Sequence, residues 1–294
     1  YINLMNNNKI WSEIEMRDND IVIASTVKSG TTWLQQIVAQ LTSCGEHKDN
    51  ICETSIWIDN GREYNQEQII EILNKKRNRR FFKTHSPSNI VLMNKNKNSK
   101  YFFITRDFRD VVWSFYNHFI NSKYRKKHKS NITTVEIKLR ECKNPYDFWK
   151  IVIENKHLFN EYDDYRIIWS YFNTIKTWLD VKDNKNILIL HFNDLKNNLN
   201  GNINKISEFL GYNYDEEILN KIYEKCTFDW MKKNSRKCVP PNFINKSNNF
   251  INKGINKRWK NILTEDDLEI YDKIISSFFD KKTIEWIENG LKNN

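Results

Sequence analysis

The chain has 294 residues, of which 39% are hydrophobic and 14% aromatic, which is enough apolar material for a substantial core and excludes a disordered chain. Its 47 basic and 37 acidic side chains leave a formal net charge of +10. This basic excess favours an anionic partner, such as a nucleotide, a nucleic acid, a sulfated or phosphorylated compound or a membrane surface.

Targeting and cysteine patterns indicate an intracellular protein. No stretch approaches the roughly 18 consecutive apolar residues of a membrane span, and the first residues lack the apolar core of a signal peptide. The five cysteines include no C-x-x-C pair, which favours reduced thiols over disulfides or zinc. With no internal repeat and few Pro and Gly, we predict one domain over residues 1–294, a cytoplasmic location, no metal and no membrane partner.

Four short apolar runs are typical of strands buried in a parallel sheet. They cover residues 21–24, 81–84, 101–105 and 187–191. Apolar stripes with helical spacing occur between them, at 33–41, 111–119 and 167–179. Strand and helix in alternation predict an α/β fold with a mainly parallel central sheet flanked by helices.

The last third of the chain is more helical. The predicted helices cover residues 203–210, 216–225 and 264–279, with Thr264 as the N-cap of the last one. Two stretches, 121–144 and 232–260, are rich in Lys, Arg and Asn and have little apolar periodicity, so we predict surface loops there.

The segment S-T-V-K-S-G-T-T-W, residues 25–33, joins the first predicted strand to the first helix. In an open α/β sheet, anions bind at such a turn, because backbone N–H groups and the positive end of the helix dipole converge there. Gly30 allows close approach of the backbone, and Lys28 supplies a point charge. The available hydroxyl donors are Ser29, Thr31 and Thr32. Lys28 precedes the glycine, so this is not a Walker A motif; a plain Gly-containing turn capped by Thr is the structural alternative.

Two further candidate sites follow predicted strands. Lys83 and His85 stand two residues apart after one strand, so an extended backbone directs both side chains to the same side. Arg106 follows another strand, and Ser114 lies two turns into the next helix, where a guanidinium and a hydroxyl together suit a second phosphate. Taken alone, His85 has a structural alternative, and the run after Arg106 can be a solvated charge cluster.

These segments together resemble a known family. The motifs Lys28-Ser-Gly-Thr-Thr-Trp33, Lys83-Thr-His85, Arg106 through Ser114, and Phe250-Ile-Asn-Lys-Gly254 with Trp259 resemble, in order and spacing, the soluble sulfotransferases that use 3′-phosphoadenosine 5′-phosphosulfate. The resemblance covers nearly the whole chain and looks closest to the bacterial-type branch. It implies a P-loop-like phosphosulfate-binding loop, the phosphosulfate as cosubstrate, and adenosine 3′,5′-bisphosphate as product.

The resemblance also implies roles for individual residues. His85 would be the general base, and Lys28 and Lys83 would stabilise charge on the leaving phosphate and the transferring sulfuryl group. The implied nucleotide ligands are Lys28, Ser29, Gly30, Thr31, Thr32 and Trp33 at the 5′ end, Arg106 and Ser114 at the 3′-phosphate, Phe228 and Met231 at the base, and Asn252, Lys253 and Gly254 in a closing segment.

The chain departs from the animal members of the family at three positions. Val27 stands where Pro often precedes the lysine, and Phe192 replaces a Tyr near the adenine. Asn252 replaces an Arg, which weakens the charge that closes on the 3′-phosphate. These departures give Lys28, Thr31, Thr32, Arg106 and Ser114 more weight as nucleotide ligands than the late segment.

The acceptor is predicted to be a small organic compound, with an amine or a natural-product alkaloid as alternatives to a hydroxyl. Its site would lie beside His85 under the segments 55–63, 87–93 and 117–131 and the late loop. The aromatic wall candidates are Trp57, Phe115, His118, Phe119 and Tyr124. The acidic candidates nearby are Asp59, Glu63 and Asp110.

Two other functions fit parts of the sequence. A nucleoside or nucleotide kinase would explain a strand-loop-helix phosphate site, with Asp194 after the run 187–190 imitating a Walker B strand. A nucleic-acid-binding protein would explain the net charge and the basic clusters 75–80 and 123–129, although no recognised nucleic-acid module surrounds them. We therefore predict no nucleic-acid partner, and the sequence leaves the oligomeric state open.

Overall fold

A parallel four-stranded sheet organises the fold. The computed structural model describes residues 9–60, 64–121, 138–139, 141–154, 171–240 and 247–291. The strands are β1 (Ile21–Ser25), β2 (Phe81–Thr84), β3 (Lys100–Thr105) and β4 (Ile187–His191). Their order across the sheet is β2-β1-β3-β4, and each pairing is parallel. The predicted parallel α/β sheet is confirmed, and each predicted strand matches an observed one to within about one residue at either end.

Both faces of the sheet are buried. Val22 of β1 and Phe103 of β3 belong to a hydrophobic core on one face, whereas their neighbours Ile23 and Phe102 belong to a second core on the other. This double burial explains why the strands are continuous apolar runs rather than alternating ones. Since parallel strands end at one edge, the residues that follow β1, β2, β3 and β4 meet there.

Helices supply the rest of both cores. Their bounds are α1 (Ile10–Glu13), α2 (Thr31–Thr42), α3 (Ile51–Thr54), α4 (Gln66–Lys75), α5 (Ser88–Val91), α6 (Phe108–Asn121), α7 (Pro145–Glu154), α8 (Tyr171–Leu179), α9 (Phe192–Asn197), α10 (Leu199–Leu210), α11 (Glu216–Cys226), α12 (Phe228–Lys233), α13 (Ser247–Phe250), α14 (Glu265–Ser276) and α15 (Lys281–Asn289). Across the ranges given above, no helix combines the length and the hydropathy that crossing a membrane requires.

The helix predictions largely hold. The stripes at 33–41 and 111–119 lie on α2 and α6, and the C-terminal half of the third lies on α8, while Ile167 and Ile168 fall outside the described residues. Thr264 caps α14 as predicted: its hydroxyl accepts from the Asp267 N–H at 3.2 Å, and the Asp267 carboxylate accepts from the Thr264 N–H at 3.0 Å.

The predicted loops differ more. Most of 121–144 lies outside the described residues. The stretch 232–260, predicted as a loop, contains the end of α12, a 3₁₀ turn at Ser235–Lys237 and α13. Arg109 at the start of α6 fixes the end of this stretch, because its guanidinium lies 4.0 Å from the Trp259 ring centroid and 2.9 Å from Asp107 and Glu288. The late segment is thereby held at the strand edge.

Candidate active site

The loop after β1 turns sharply before it enters α2. Lys28 has φ 58° and Gly30 has φ 103°, so both lie in the left-handed region. A Cβ on Gly30 would come within 2.9 Å of Phe192 Cδ2 and 3.3 Å of Ile104 Cδ1, so only glycine fits. Gly30 is the N-cap and offers α2 no side-chain cap, which leaves the first-turn N–H groups and the positive dipole end to an anion.

Hydroxyl side chains brace this loop from within. The Ser25 and Thr31 hydroxyls share a hydrogen bond of 2.5 Å, and the Thr26 and Ser29 hydroxyls share one of 2.6 Å. Ser29 and Thr31 are buried, whereas Thr32 is half-exposed at the second helical position. Because a hydroxyl both donates and accepts, these side chains fix the loop and retain capacity for a ligand oxygen.

Three cations converge at the strand edge. Burial, followed by the charges of Lys83 and Arg106, lowers the pKa of Lys28 to about 7. The Lys83 ammonium lies 4.7 Å from the Trp57 ring centroid, and the Arg106 guanidinium lies 4.2 Å from that of Phe192. Arg106 is buried, and Lys28 and Lys83 are half-buried. Mutual repulsion among these cations is relieved when an anion binds between them, so this arrangement suits a ligand with negative charge.

His85 is oriented by the backbone of β1. Its Nδ1 lies 2.9 Å from the Ser25 carbonyl oxygen, which can only accept, so Nδ1 carries the proton and Nε2 is the basic nitrogen. The Trp57 ring meets the imidazole edge-on at 4.9 Å between centroids. Burial and the charge of Lys83 lower the pKa of His85 to about 3, against the Ser25 hydrogen bond. The imidazole is therefore neutral at cellular pH.

A buried carboxylate supports the strand end that carries His85. Asp59 accepts hydrogen bonds from the hydroxyls of Thr84 and Ser86, and burial raises its pKa. The preceding backbone pairs with Lys83, whose N–H donates to the Ile56 carbonyl at 2.9 Å. Asp59, predicted near an acceptor, thus lies within the wall that positions Lys83 and His85.

A second polar cluster surrounds Arg106. Its Nη2 donates to Asn256 Oδ1, and the Asn256 side chain donates to Asn193 Oδ1. The Lys257 N–H donates to Asp110 Oδ1 at 2.6 Å. Arg106 Nε is buried and has no hydrogen-bond partner among the described residues. An unsatisfied buried donor of this kind indicates that an acceptor group completes the cluster.

The sequence did not single out Arg258, which belongs to the same cluster. Arg258 is half-buried, its pKa is lowered by burial and raised by Asp110, and its charge lowers the pKa of Arg106. Burial raises the pKa of Asp110 to about 6, against the charge of Arg106. Arg258 lies within a Lys- and Asn-rich stretch, where a single arginine is readily interpreted as an exposed surface charge. Its position just before Trp259 was the available sequence signal for a role in the site.

Aromatic side chains lie beside Arg106 and the late segment. The Trp33 indole N–H donates to the Cys226 carbonyl at 2.7 Å, and the ring meets Phe192 edge-on at 5.5 Å. Gly254 has φ 61°, and a Cβ there would come within 2.8 Å of Phe228 Cε2, so the late segment lies directly on the Phe228 ring. These rings suit a flat heterocyclic base.

The other predicted nucleotide ligands are more dispersed. Met231 is buried in the core below α2, with 4% of its surface exposed. The Asn252 carbonyl accepts from the Lys232 ammonium, and Lys253 is exposed. Ser114 is half-buried on α6, two turns after Arg106. Their contacts with a nucleotide stay predictions.

The predicted acceptor walls divide into two groups. Trp57 and His118 lie with the cations, while Phe119 packs 5.9 Å from Phe148. Asp110 lies beside Arg106 rather than beside His85, and the segment 87–93 carries α5, which packs against α8. Glu63 and Tyr124, and with Tyr124 the basic cluster 123–129, lie outside the described residues.

Comparison with known proteins agrees with this geometry. The sulfotransferase domain model matches residues 18–286. Sulfotransferase 2A1 of Macaca fascicularis is 28% identical over 277 residues, covering 90% of this chain and 86% of the relative, and sulfotransferase 1B1 of Canis lupus familiaris is 28% identical over 290 residues, covering 94% and 90%. The crystal structure of mouse sulfotransferase SULT7A1 complexed with PAP has a TM-score of 0.72 at 18% identity, covering 96% of this chain and 93% of that one.

Proposed function

The chain belongs to the sulfotransferase family, and from that premise we propose that it transfers a sulfuryl group from 3′-phosphoadenosine 5′-phosphosulfate to the hydroxyl of a small organic acceptor. The product nucleotide would be adenosine 3′,5′-bisphosphate, which is the PAP held by the mouse structure of the same fold. The resemblance to the bacterial-type branch remains a prediction, since the relatives described above are mammalian.

The observation that carries the proposal is the pair of cationic groups at one strand edge. Lys28 follows β1 and Lys83 is the last residue but one of β2, while Arg106 follows β3, which is hydrogen-bonded to β1. Burial, followed by the charges of Lys83 and Arg106, lowers the pKa of Lys28, and Arg106 Nε has no hydrogen-bond partner among the described residues. A bound anion would stabilise both groups. A nucleotide with a 5′-phosphosulfate and a separate 3′-phosphate supplies an anion to each group.

The residues fit such a donor in a definite orientation. The loop 28–32 and the N-terminus of α2 would hold the phosphosulfate, as in other helix N-terminal anion sites. Arg106, Ser114 and Arg258 would hold the 3′-phosphate, with Arg258 supplying the charge that Asn252 lacks. The rings of Trp33 and Phe228 would enclose the adenine.

His85 is placed to act as general base. Its Nδ1–H is committed to the Ser25 carbonyl, so Nε2 would accept the acceptor's hydroxyl proton. In the protein alone, burial and Lys83 make the imidazole a weak base. An anion beside Lys28 and Lys83 offsets those charges and raises the basicity of Nε2, so we infer that deprotonation of the acceptor depends on the donor being present.

The two lysines would stabilise the group that leaves. The donor supplies a sulfur whose bond to a phosphate oxygen breaks as its bond to the acceptor oxygen forms. Lys28 and Lys83 would face the charge that develops on that phosphate oxygen, and an ammonium there favours the transition state over the ground state.

The nature of the acceptor follows from the charge of the site. The charges that lower the pKa values of Lys28 and His85 are all cationic, so a protonated amine would be repelled there. We therefore favour a neutral aromatic or aliphatic hydroxyl compound over an amine.

A cytoplasmic location is supported by the five cysteines, each a free thiol in the structure.

The alternative functions have less support. In a kinase, Asp194 would face the phosphates, whereas here its carboxylate accepts from the Leu291 N–H at 2.8 Å near the C-terminal end. Membership of the sulfotransferase family excludes that reading. The candidate anion site lies at the strand edge beside the rings of Trp33 and Phe192, and this position does not support nucleic-acid binding.

Binding of the product nucleotide tests the proposed function. Adenosine 3′,5′-bisphosphate at about 100 times its Kd should add about 2.7 kcal/mol to the free energy of unfolding, which raises the melting temperature by several degrees in differential scanning fluorimetry. AMP lacks the 3′-phosphate and should raise the melting temperature less. In Arg106→Gln, the melting-temperature shifts caused by the two nucleotides should differ less than in the wild-type protein. No shift with the bisphosphate, or its location in a crystal away from the loop 28–32, would refute the proposal.

The pH dependence of binding follows from Lys28. Its pKa of about 7 in the empty site should rise once an anion lies beside it, so proton uptake on binding should increase from pH 7 and approach one proton per nucleotide by pH 9. The affinity for adenosine 3′,5′-bisphosphate should therefore fall as pH rises above 7, by up to about tenfold per pH unit. Calorimetric titrations in two buffers of different ionisation enthalpy measure the proton uptake; a value of zero at pH 8 contradicts this assignment.

A further inference from the structure

A second imidazole reaches the cationic site from α6. His118 Nδ1 lies 3.4 Å from the Lys28 ammonium. The same ammonium lies 4.5 Å from the Phe250 ring centroid, and the His118 ring meets Phe250 edge-on at 5.6 Å. Phe115 stacks on the other side of the imidazole at 6.3 Å. Lys28 is thus held between an imidazole nitrogen and an aromatic face, contributed by α6 and α13.

The protonation of His118 determines what this contact does. Burial, with the charges of Lys28, Lys83 and His85, lowers the pKa of His118 well below its usual value. The imidazole is therefore neutral, and a neutral ring beside an ammonium accepts a hydrogen bond at Nδ1 and keeps its own proton on Nε2. Such an acceptor favours the charged form of Lys28.

Among the described residues, the other charged and titratable groups close to Lys28 are Lys83, His85 and Arg106. The cations disfavour its ammonium form, and His85 has its Nδ1 committed to Ser25. An aromatic wall alone would be served by phenylalanine, which lacks the acceptor nitrogen. The feature specific to histidine at position 118 is therefore the Nδ1 lone pair directed at Lys28.

We propose that His118 is a positioning residue that holds Lys28 as an ammonium in the sulfuryl-transfer site through its Nδ1. The inference rests on the proposed function, because it assigns Lys28 to the phosphosulfate. Since α13 directly precedes the closing segment 252–254, the contact of His118 with Phe250 also ties the position of Lys28 to that segment.

Two variants of similar shape separate the hydrogen bond from the packing. His118→Phe keeps the ring and removes the acceptor, whereas His118→Asn places an amide oxygen close to the position of Nδ1. Loss of a hydrogen bond to a charged group should lower the pKa of Lys28 by about one unit or more in His118→Phe. At pH 7.5 that variant should bind adenosine 3′,5′-bisphosphate about tenfold more weakly and lose about tenfold in kcat/KM for the donor, with greater proton uptake on binding at pH 7.

His118→Asn should restore most of the affinity and return the proton uptake towards the wild-type value, measured by calorimetry in HEPES and Tris. If His118→Phe shows the wild-type pH dependence, His118 is only part of the wall and the inference is overturned. Should His118→Phe fold poorly, the ¹⁵N chemical shifts of His118 in the wild-type chain decide, because a proton on Nδ1 excludes the acceptor role. Failure of the wild-type protein to bind the nucleotide would instead count against the proposed function.

Discussion

Replacing His85 with alanine should lower turnover by about 10²- to 10⁴-fold, the usual loss on removal of a general base, and should leave nucleotide binding nearly intact. The acceptor's hydroxyl then has no basic nitrogen to receive its proton, while Lys28, Lys83 and Arg106 still bind the anions. Product formation followed by mass spectrometry gives the rate, and calorimetry with adenosine 3′,5′-bisphosphate gives the affinity.

A conservative variant separates chemistry from packing at this position. Alanine also removes the hydrogen bond to the Ser25 carbonyl and the edge contact with Trp57. His85→Asn can keep a donor towards Ser25 but has no counterpart of Nε2, so it should be as slow as alanine while retaining the wild-type melting temperature. An alanine or asparagine variant with wild-type turnover would remove His85 from the mechanism.

The strands could be predicted from sequence because their physical cause is local. A strand buried on both faces needs an uninterrupted apolar run, and the residues before Ser25 contribute side chains to both hydrophobic cores. The loop 28–32 was recognisable for the same reason, since a glycine forced to φ 103° and a helix N-terminus belong to one short segment. The order of the strands depends on contacts between distant segments, which composition and periodicity do not specify.

The rest of the candidate site depends on such distant contacts. His118 entered the sequence prediction only as a wall, because its relation to Lys28 joins positions 90 residues apart in the chain. Arg258 lies in a stretch crowded with Lys and Asn, and its place before Trp259 is a weak local signal there. Asp110 was an acidic candidate for the surroundings of the acceptor, yet its carboxylate accepts from the Lys257 N–H beside Arg106.

Removing the positive charge of Lys28 should lower turnover about as much as removing the proposed general base, His85. Lys28→Met keeps an unbranched side chain and removes the ammonium that lies over Phe250, so we expect turnover to fall by about 10²- to 10³-fold, the typical effect of deleting one donor that stabilises transition-state charge. Because Lys83 and Arg106 remain, the nucleotide should still bind, with lower affinity below pH 7, where wild-type Lys28 is charged in the empty site.

The sign of the pH effect distinguishes this role from a general loss of positive charge. In Lys28→Met the proton uptake on binding adenosine 3′,5′-bisphosphate should disappear between pH 7 and 9, and the affinity should become nearly independent of pH there. Lys176→Met, which removes an exposed ammonium on α8, lowers the net charge equally and should leave both turnover and proton uptake unchanged. If both variants lose the same amount of activity, the long-range field of the chain, rather than Lys28, supports the reaction.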